Sequence, residues 1–449
     1  MYGVRWSVVL VTTGVGLAGV ARLGAAQQDT AAARDSLPSA AEQLEQLDQK
    51  VRVLARLLEL KQDSAAAAAK QQPRVGAGKE GVVIKSADGA FQLKLRGYIQ
   101  ADGRFFPGGA VPLGTSNFLL RRARAVTEFT GWKYFTLRFT PDFGQGRVVL
   151  FDAYLDFRPV PQLGLRAGKA KPPIGLERLQ SAVDIRFVER GLPTNLVPNR
   201  DVGFQAFGDL AGGALSYAVG VFNGVPDFGN GDLDATNDKD FEARLFARVG
   251  GAGLGIAGST GSEHGTVSAA ALPVYVTPGQ QPMFRYRDST VANGRRIRVA
   301  PQAYWYAGPV GVLGEYVASE QDITRTTSSR RVTSRAWQVA ASWFVTGEKA
   351  AFATVAPRRP FDPQKKNWGA LEIAARYGEL HPDENAFPTF AAAGSSVTSA
   401  KAWGGGIIWH LAPAVRFAVN YERTQFTNGA PTGDRQPENF LVVRVQQAF

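Results

Sequence analysis

Basic residues recur at every second position along segments whose alternate positions are apolar. In 92–105, Lys94, Arg96 and Arg104 share one face with Gln100 and Asp102, while Leu93, Leu95, Ile99 and Phe105 occupy the other. Arg122 and Arg124 repeat the arrangement in 117–130, Arg138 in 132–141, and Arg296 and Arg298 in 295–306. A guanidinium stays charged and its planar fork of donors matches oxyanion oxygens, whereas an ammonium supplies a compact point charge. Rows of such groups predict attraction of small anions. The remaining chemistry in the chain is thin. Nucleophilic catalysis needs a positioned base, yet the three histidines, His264, His381 and His410, sit in no recognisable Ser-His frame and no G-x-S-x-G occurs. Gly253 to Gly258 matches G-x-G-x-x-G but lies in a short strand with no helix after it, so the dinucleotide fingerprint is incomplete. Asp232, Asp234, Asp238 and Asp240 crowd one segment without the glycine and spaced glutamate of a calcium loop, which reads as a solvated outer loop. Zero cysteines remove disulfides, zinc-thiolate sites and a lipidated N-terminus. No enzyme, cofactor or metal is expected.

The elements that must carry these residues have a two-residue period from Val82 onward. Sixteen such segments are expected: 92–105, 117–130, 132–141, 147–158, 163–170, 201–210, 213–223, 240–250, 253–260, 295–306, 310–322, 334–345, 368–379, 400–411, 414–425 and 438–449. The weak segment 253–260 leaves fourteen and eighteen open. Connections alternate between short and long, as expected of an antiparallel β-barrel in a bacterial outer membrane with both ends in the periplasm; 346–367 is long where a short turn is due. The final strand alternates Leu441, Val443 and Val445 with Arg444 and Gln446 and ends on Phe449. Lipid-facing positions are expected to include Leu93, Leu95, Val149, Phe151, Phe417, Val419 and Val443.

Upstream, Arg5, the apolar run Val8 to Val20 and the small residues Gly24 to Ala26 predict a signal peptide over 1–26. Its removal lowers the formal charge from +12 to +10, because only Arg5 and Arg22 are lost. An exported basic chain seldom meets nucleic acid, leaving anionic lipid, lipopolysaccharide or small anions as partners. Leu44, Leu47, Val51, Leu54 and Leu58 follow heptad spacing, predicting a periplasmic coiled coil over 27–62, then a linker over 63–81 and the barrel over 82–449.

If apolar faces meet lipid, Lys94, Arg96, Arg104, Arg122, Arg124, Arg138, Arg158, Arg166, Arg296, Arg298, Arg376, Arg416 and Arg444 face the lumen. Asp102, Glu128, Asp142, Asp152, Asp156, Glu372 and Glu422 face it too. That excess predicts an anion preference. The long connection from Lys171 to Arg200, with Lys171, Glu177, Arg178, Asp184, Arg186, Glu189 and Arg190, is expected to fold inward and narrow the pore.

Several separated motifs resemble the phosphate-selective porin O and P family. They include Leu95 to Asp102 (LRGYIQAD), Arg121 to Arg124 (RRAR), Gly168 to Glu177 (GKAKPPIGLE), Arg200 to Gly203 (RDVG), Phe222-Asn223-Gly224, Thr346-Gly347-Glu348, Trp368 to Glu372 (WGALE) and Arg444-Val445-Gln446 before Phe449. The resemblance covers nearly all of 90–449. It implies trimeric sixteen-stranded barrels, an N-terminal periplasmic coiled coil in some members, and passage of anions, phosphate in the best-known cases; the small anions expected as partners here are phosphate and chloride. A general diffusion porin and a trimeric barrel that tethers the envelope are the alternatives.

Overall fold

The computed structural model describes residues 39–78, 80–108, 114–234 and 236–449, without the side chains of 65–71. The expected signal peptide, and residues 27–38 of the expected coiled coil, lie outside the described residues. Two units separate, one ending at Ala69 and the other running from Lys70 to Phe449.

A helix, α1, spans Ala40–Gln71. Ser39 and Glu42 form a capping box: the Ser39 amide donates to Glu42 Oε2 at 2.8 Å and the Glu42 amide to Ser39 Oγ at 3.4 Å. Its heptad residues are exposed, Leu44 at 70% and Leu58 at 58%. The linker expected over 63–81 is corrected. Helix continues through Ala65 to Ala69, where alanine has the best intrinsic propensity, and stops two residues before Pro73. An antiparallel hairpin, Arg74–Gly78 with Gly81–Lys85, follows.

Sixteen antiparallel strands form the barrel: β1 (Gln92–Phe105), β2 (Asn117–Gly131), β3 (Phe135–Asp142), β4 (Val149–Val160), β5 (Leu163–Ala170), β6 (Asp201–Leu210), β7 (Leu215–Phe222), β8 (Asp240–Val249), β9 (Ala252–His264), β10 (Thr290–Ala307), β11 (Val310–Arg325), β12 (Ser328–Phe344), β13 (Ala370–His381), β14 (Val397–Ala412), β15 (Val415–Ala430) and β16 (Glu438–Ala448). Each pairs with its successor, and β16 returns to β1 with Leu441 opposite Phe105 and Ala448 opposite Tyr98. No sheet edge is left in the ring, as lipid demands. Gly97 and Phe449 exchange backbone hydrogen bonds of 3.1 and 2.9 Å. A Cβ on Gly97 would stand 2.8 Å from the Phe449 ring, so closure uses a residue without one.

Outward positions are apolar. Ile99, Leu137, Ile407, Val419 and Val445 are exposed on that face, and Trp305, Trp343, Trp368 and Trp409 lie near the short turns, where indoles suit a membrane interface. Phe151 corrects the lipid-facing expectation. The register steps from Thr140 opposite Asp152 to Pro141 opposite Leu150, so Phe151 is the extra residue of a β-bulge and turns inward.

Part of the interior is filled by an apolar core. The connections 265–289 and 382–396 fold inward, packing Tyr275, Phe284 and Phe390 against Ile174, Leu192, Leu196 and residues of β9 to β15 in one apolar cluster. The unexpectedly long connection 345–369 also enters: Thr354 donates its amide to Asp184 Oδ1 at 2.8 Å, and Arg186 donates to Phe352 O at 3.2 Å.

Candidate functional site

The segment from Lys171 to Arg200 lies inside the barrel as a strap. It carries two short helical turns, Leu176–Leu179 and Leu192–Leu196, and it is buried along most of its length. Its far side bonds to strands across the lumen. Gln100 Nε2 donates to Ala182 O at 2.9 Å, Arg444 Nη1 to Val188 O at 2.8 Å, and Arg376 Nη1 to Glu189 O at 3.0 Å. The Val188 amide donates to Asn420 Oδ1 at 2.7 Å, and the Leu176 amide to Glu315 Oε2 at 2.6 Å. These bonds supply strand partners for backbone groups that a buried loop cannot leave unpaired.

Glu189 is the main electrostatic anchor. Arg121 Nε reaches its Oε1 at 2.5 Å, Arg122 Nη2 its Oε2 at 3.4 Å, and Arg104 also bonds it; Arg444 stands at 3.8 Å. Burial pushes this carboxyl up, but Arg121, Arg122, Arg104 and Arg444 outweigh it and hold it well below the ordinary glutamate range.

The strap's other side faces β1 to β8 across a cavity of about 400 Å³. Seven cations line it (Arg124, Arg138, Arg166, Lys171, Arg190, Arg200 and Arg244) against one carboxylate, Asp152. A smaller cavity of about 70 Å³ lies on the outer side, touched by Arg121, Arg122 and Arg178, by Glu189 and by the connections around Phe228 and Thr277. The two share Arg124, Phe151, Arg190 and Asn199, which therefore form the neck between them. Arg124 is held over Phe151, 3.9 Å from the ring centroid, and bonds Asp142 at 2.7 Å. Both contacts fix a charge that a free side chain would wave through the pore.

Most of the expected lumenal cations are neutralised. Lys94 pairs with Glu80 at 2.5 Å, Arg96 with Glu128, Arg104 with Asp102 at 2.9 Å and Arg138 with Glu128 at 3.0 Å. Arg122 donates to Gln100 Oε1 at 2.7 Å besides Glu189. Arg296 and Arg298 do not reach the cavity, which corrects that expectation. Both are buried on β10, bonded to Asp240 at 2.8 and 2.9 Å, with Asp227 of the 223–239 connection 2.6 Å from Arg298. Of the thirteen basic residues read as lumenal, only Arg416 has no carboxylate partner among the described residues. The simple excess of basic residues is therefore not the field an ion meets.

The unneutralised charge sits mainly on the strap. Lys171 Nζ donates to the carbonyls of Leu179 and Gln180 at 3.1 and 2.7 Å, Arg190 to those of Glu177 and Gln180 at 3.0 and 2.7 Å, and Arg178 to Thr194 O at 2.6 Å. Among the described residues none has a carboxylate partner, and neither does Arg244 on β8, which faces Gln302 at 3.2 Å. Burial, then Arg200 and Arg190, pull Lys171 well below the ordinary lysine range, and burial lowers Arg190 to about 10. Elsewhere on the strap, Glu177 accepts from Gly191 N at 2.7 Å and Arg186 pairs with Glu372 at 3.2 Å.

Two residues of the cavities are missing from the sequence-based expectation. Arg121 should face lipid, but the register slips between Gln100–Arg122 and Ala101–Leu120, and the bulge turns it toward Glu189. A charge on an apolar register is the signal that marks such a site. Arg244 was readable, since Phe241, Ala243 and Leu245 alternate with Asp240, Glu242 and Arg244.

The profile of the family described as phosphate-selective porin O and P matches residues 91–449. The chain belongs to this family. It is an outer-membrane porin, a channel and not an enzyme. Similar solved structures include the outer membrane channel DcaP of Acinetobacter baumannii, at 11% identity over 81% of this chain and 99% of that one, with a TM-score of 0.55. An anion-selective porin from Comamonas acidovorans aligns at 10% identity over 80% and 100%, with a TM-score of 0.51. OmpT of Vibrio cholerae, from the outer membrane, gives 11%, 80%, 98% and 0.50. At these identities the likeness establishes the barrel fold. No curated protein sequence matched.

Proposed function

We propose that this porin favours anions, with phosphate and similar oxyanions as its solutes. One observation carries the reading: a cavity lined by seven cations and one carboxylate, in which Lys171, Arg190 and Arg244 have no acidic partner among the described residues. A low-dielectric wall focuses such a field onto a passing ion. Arg124 and Arg190 at the neck, with Arg121, Arg122 and Arg178 beyond it, supply several moderate oxyanion sites in series, the arrangement that lets a bound ion leave. A planar-bilayer reversal potential under a KCl gradient should have the anion sign, and phosphate added to chloride should reduce the chloride current. A cation-sign potential refutes the reading; an anion sign without block reduces it to general anion diffusion.

We infer that the assembly is a trimer. The family supports it, and the exposed Leu44, Leu47, Val51, Leu54 and Leu58 give the helix a stripe suited to other copies. Mass measurement in mild detergent should give three chains, and a uniformly monomeric species would exclude it.

A further inference from the structure

The connection 345–369 does more than enter the lumen. After the stretch that bonds the strap, it returns to the outside of the barrel at Phe361, whose amide donates to Leu411 O at 2.7 Å. The Phe361 ring meets Trp368 and Trp409 edge-on, with centroids 5.8 and 5.7 Å away. Trp409 Nε1 donates to Trp368 O at 2.5 Å, so the Trp409 indole is fixed, while that of Trp368 rests against Phe361. Below them lies a groove of about 550 Å³ on the outer face of β13 to β15, lined by Trp368, Leu371, Ile407, Trp409, Phe417 and Val419. Its size falls within the ~300–1,000 Å³ of small-molecule clefts, and its walls are almost wholly apolar.

The same connection is basic. Lys349, Arg358, Arg359, Lys365 and Lys366 are exposed against Glu348 and Asp362. Arg358 and Lys365 are taken by those two carboxylates. Lys349, Arg359 and Lys366 have no carboxylate partner among the described residues. This end of the barrel bears the short turns and Phe449, so it is the periplasmic end.

We propose that the groove holds an acyl chain of an anionic glycerophospholipid from the periplasmic leaflet, with the headgroup phosphate engaged by the free cations of 345–369. Charge complementarity selects this occupant. An apolar groove alone accepts any chain, whereas three unpaired cations on the connection that contributes Thr346 and Trp368 to its wall favour a net-negative headgroup over a zwitterionic one, each by roughly fivefold near a membrane surface. The proposal is independent of which solute the pore carries.

Native mass spectrometry of the full-length protein, incubated with phosphatidylglycerol and phosphatidylethanolamine of matched chains, tests it. The unsubstituted protein should retain phosphatidylglycerol over phosphatidylethanolamine by roughly tenfold or more. Combined Lys349→Gln, Arg359→Gln and Lys366→Gln should bring the two close to parity. Leu371→Trp, which fills the groove from an outward position, should cut retention of both lipids while the barrel keeps its strand content by circular dichroism. Equal retention by the unsubstituted protein, or an undiminished preference in the triple variant, would overturn the proposal. So would Leu371→Trp breaking the oligomer into smaller species, which would assign the groove to contact between copies.

Discussion

Glutamate at both Lys171 and Arg190 should turn the current of this porin from anion-preferring to cation-preferring. Both side chains are anchored on strap carbonyls and lack acidic partners among the described residues, so their charge acts on a passing ion and not on a neighbour. At an effective dielectric constant of ~20, a unit charge about 8 Å away changes an ion's energy by about 2 kcal/mol. Even after screening, four units of charge change should lower the anion-to-cation permeability ratio by well over tenfold. The reversal potential measures it directly. Arg158→Gln makes a suitable control, because Arg158 is half-exposed and already paired with Asp209 at 2.9 Å; its potential should match the unsubstituted protein. Alkali should act as a weaker version of the same change. Lys171 is charged below its depressed pKa and neutral above it, so anion preference should begin to fall at a pH lower than the ordinary lysine range, and Lys171→Arg should move that onset up toward about 10, where Arg190 titrates. If the double glutamate variant keeps the anion sign, the strap is not the selectivity element.

Removing the charge at Glu189 should cost more stability than any surface change in the molecule. Glu189→Gln preserves shape but leaves Arg104, Arg121 and Arg122 without their shared carboxylate, and breaking a buried ion pair from one side typically costs about 3–5 kcal/mol. The loss falls on the strap first, since its remaining anchors are mostly single hydrogen bonds to strand side chains. Two readouts follow together: a lower unfolding temperature by tryptophan fluorescence, and larger or noisier single-channel conductance as the strap leaves the lumen. Because the folded pKa of Glu189 is depressed, its contribution is complete above the ordinary glutamate range near 4.5 and is lost only well below it. Mild acid should therefore not reproduce the substitution. Unchanged conductance with unchanged stability would remove Glu189 from this role.

The strap also shows what the sequence revealed and what it concealed. Strands such as β1, β15 and β16 are readable because lipid on one side and polar interior on the other impose a strict two-residue alternation, and even the weak segment 253–260 proves to be the core of β9. The strap was readable as a candidate from its length and charge alone. What alternation cannot supply is the partner of each charge. Arg298 looks like any lumenal arginine until Asp227 arrives from a connection about seventy residues earlier. Glu189 looks like one acid in a mixed loop until four arginines from three strands surround it. Bulges are equally silent. One extra residue opposite Gln100 and another opposite Thr140 move Arg121 and Phe151 from the lipid side to the pore; the first leaves a trace as a charge on an apolar register, whereas a phenylalanine on that register looks like any lipid-facing residue. The helix past Ala65 was missed for a simpler reason: an alanine run before a proline reads as a spacer, although alanine is also the residue that most readily extends a helix.

The seam between β16 and β1 joins the two ends of the barrel sequence, so the ring stays an open sheet until the last residue of the chain has been made. Open edges are templates for mispairing, and pairings so distant in sequence form late. Here the vulnerable edge of β1 is shortened in advance. The strand Gly81–Lys85 pairs Val82 with Leu95 and Lys85 with Gln92, occupying the stretch just before Gly97. Only the part from Gly97 onward remains for β16, and Phe449 docks where the hairpin ends. The hairpin thus acts as a doorstop for assembly: a β16 that slid toward the hairpin would collide with a strand already in place, and a slide the other way would leave Gly97 unpaired and expose the opening that the terminal phenyl ring fills.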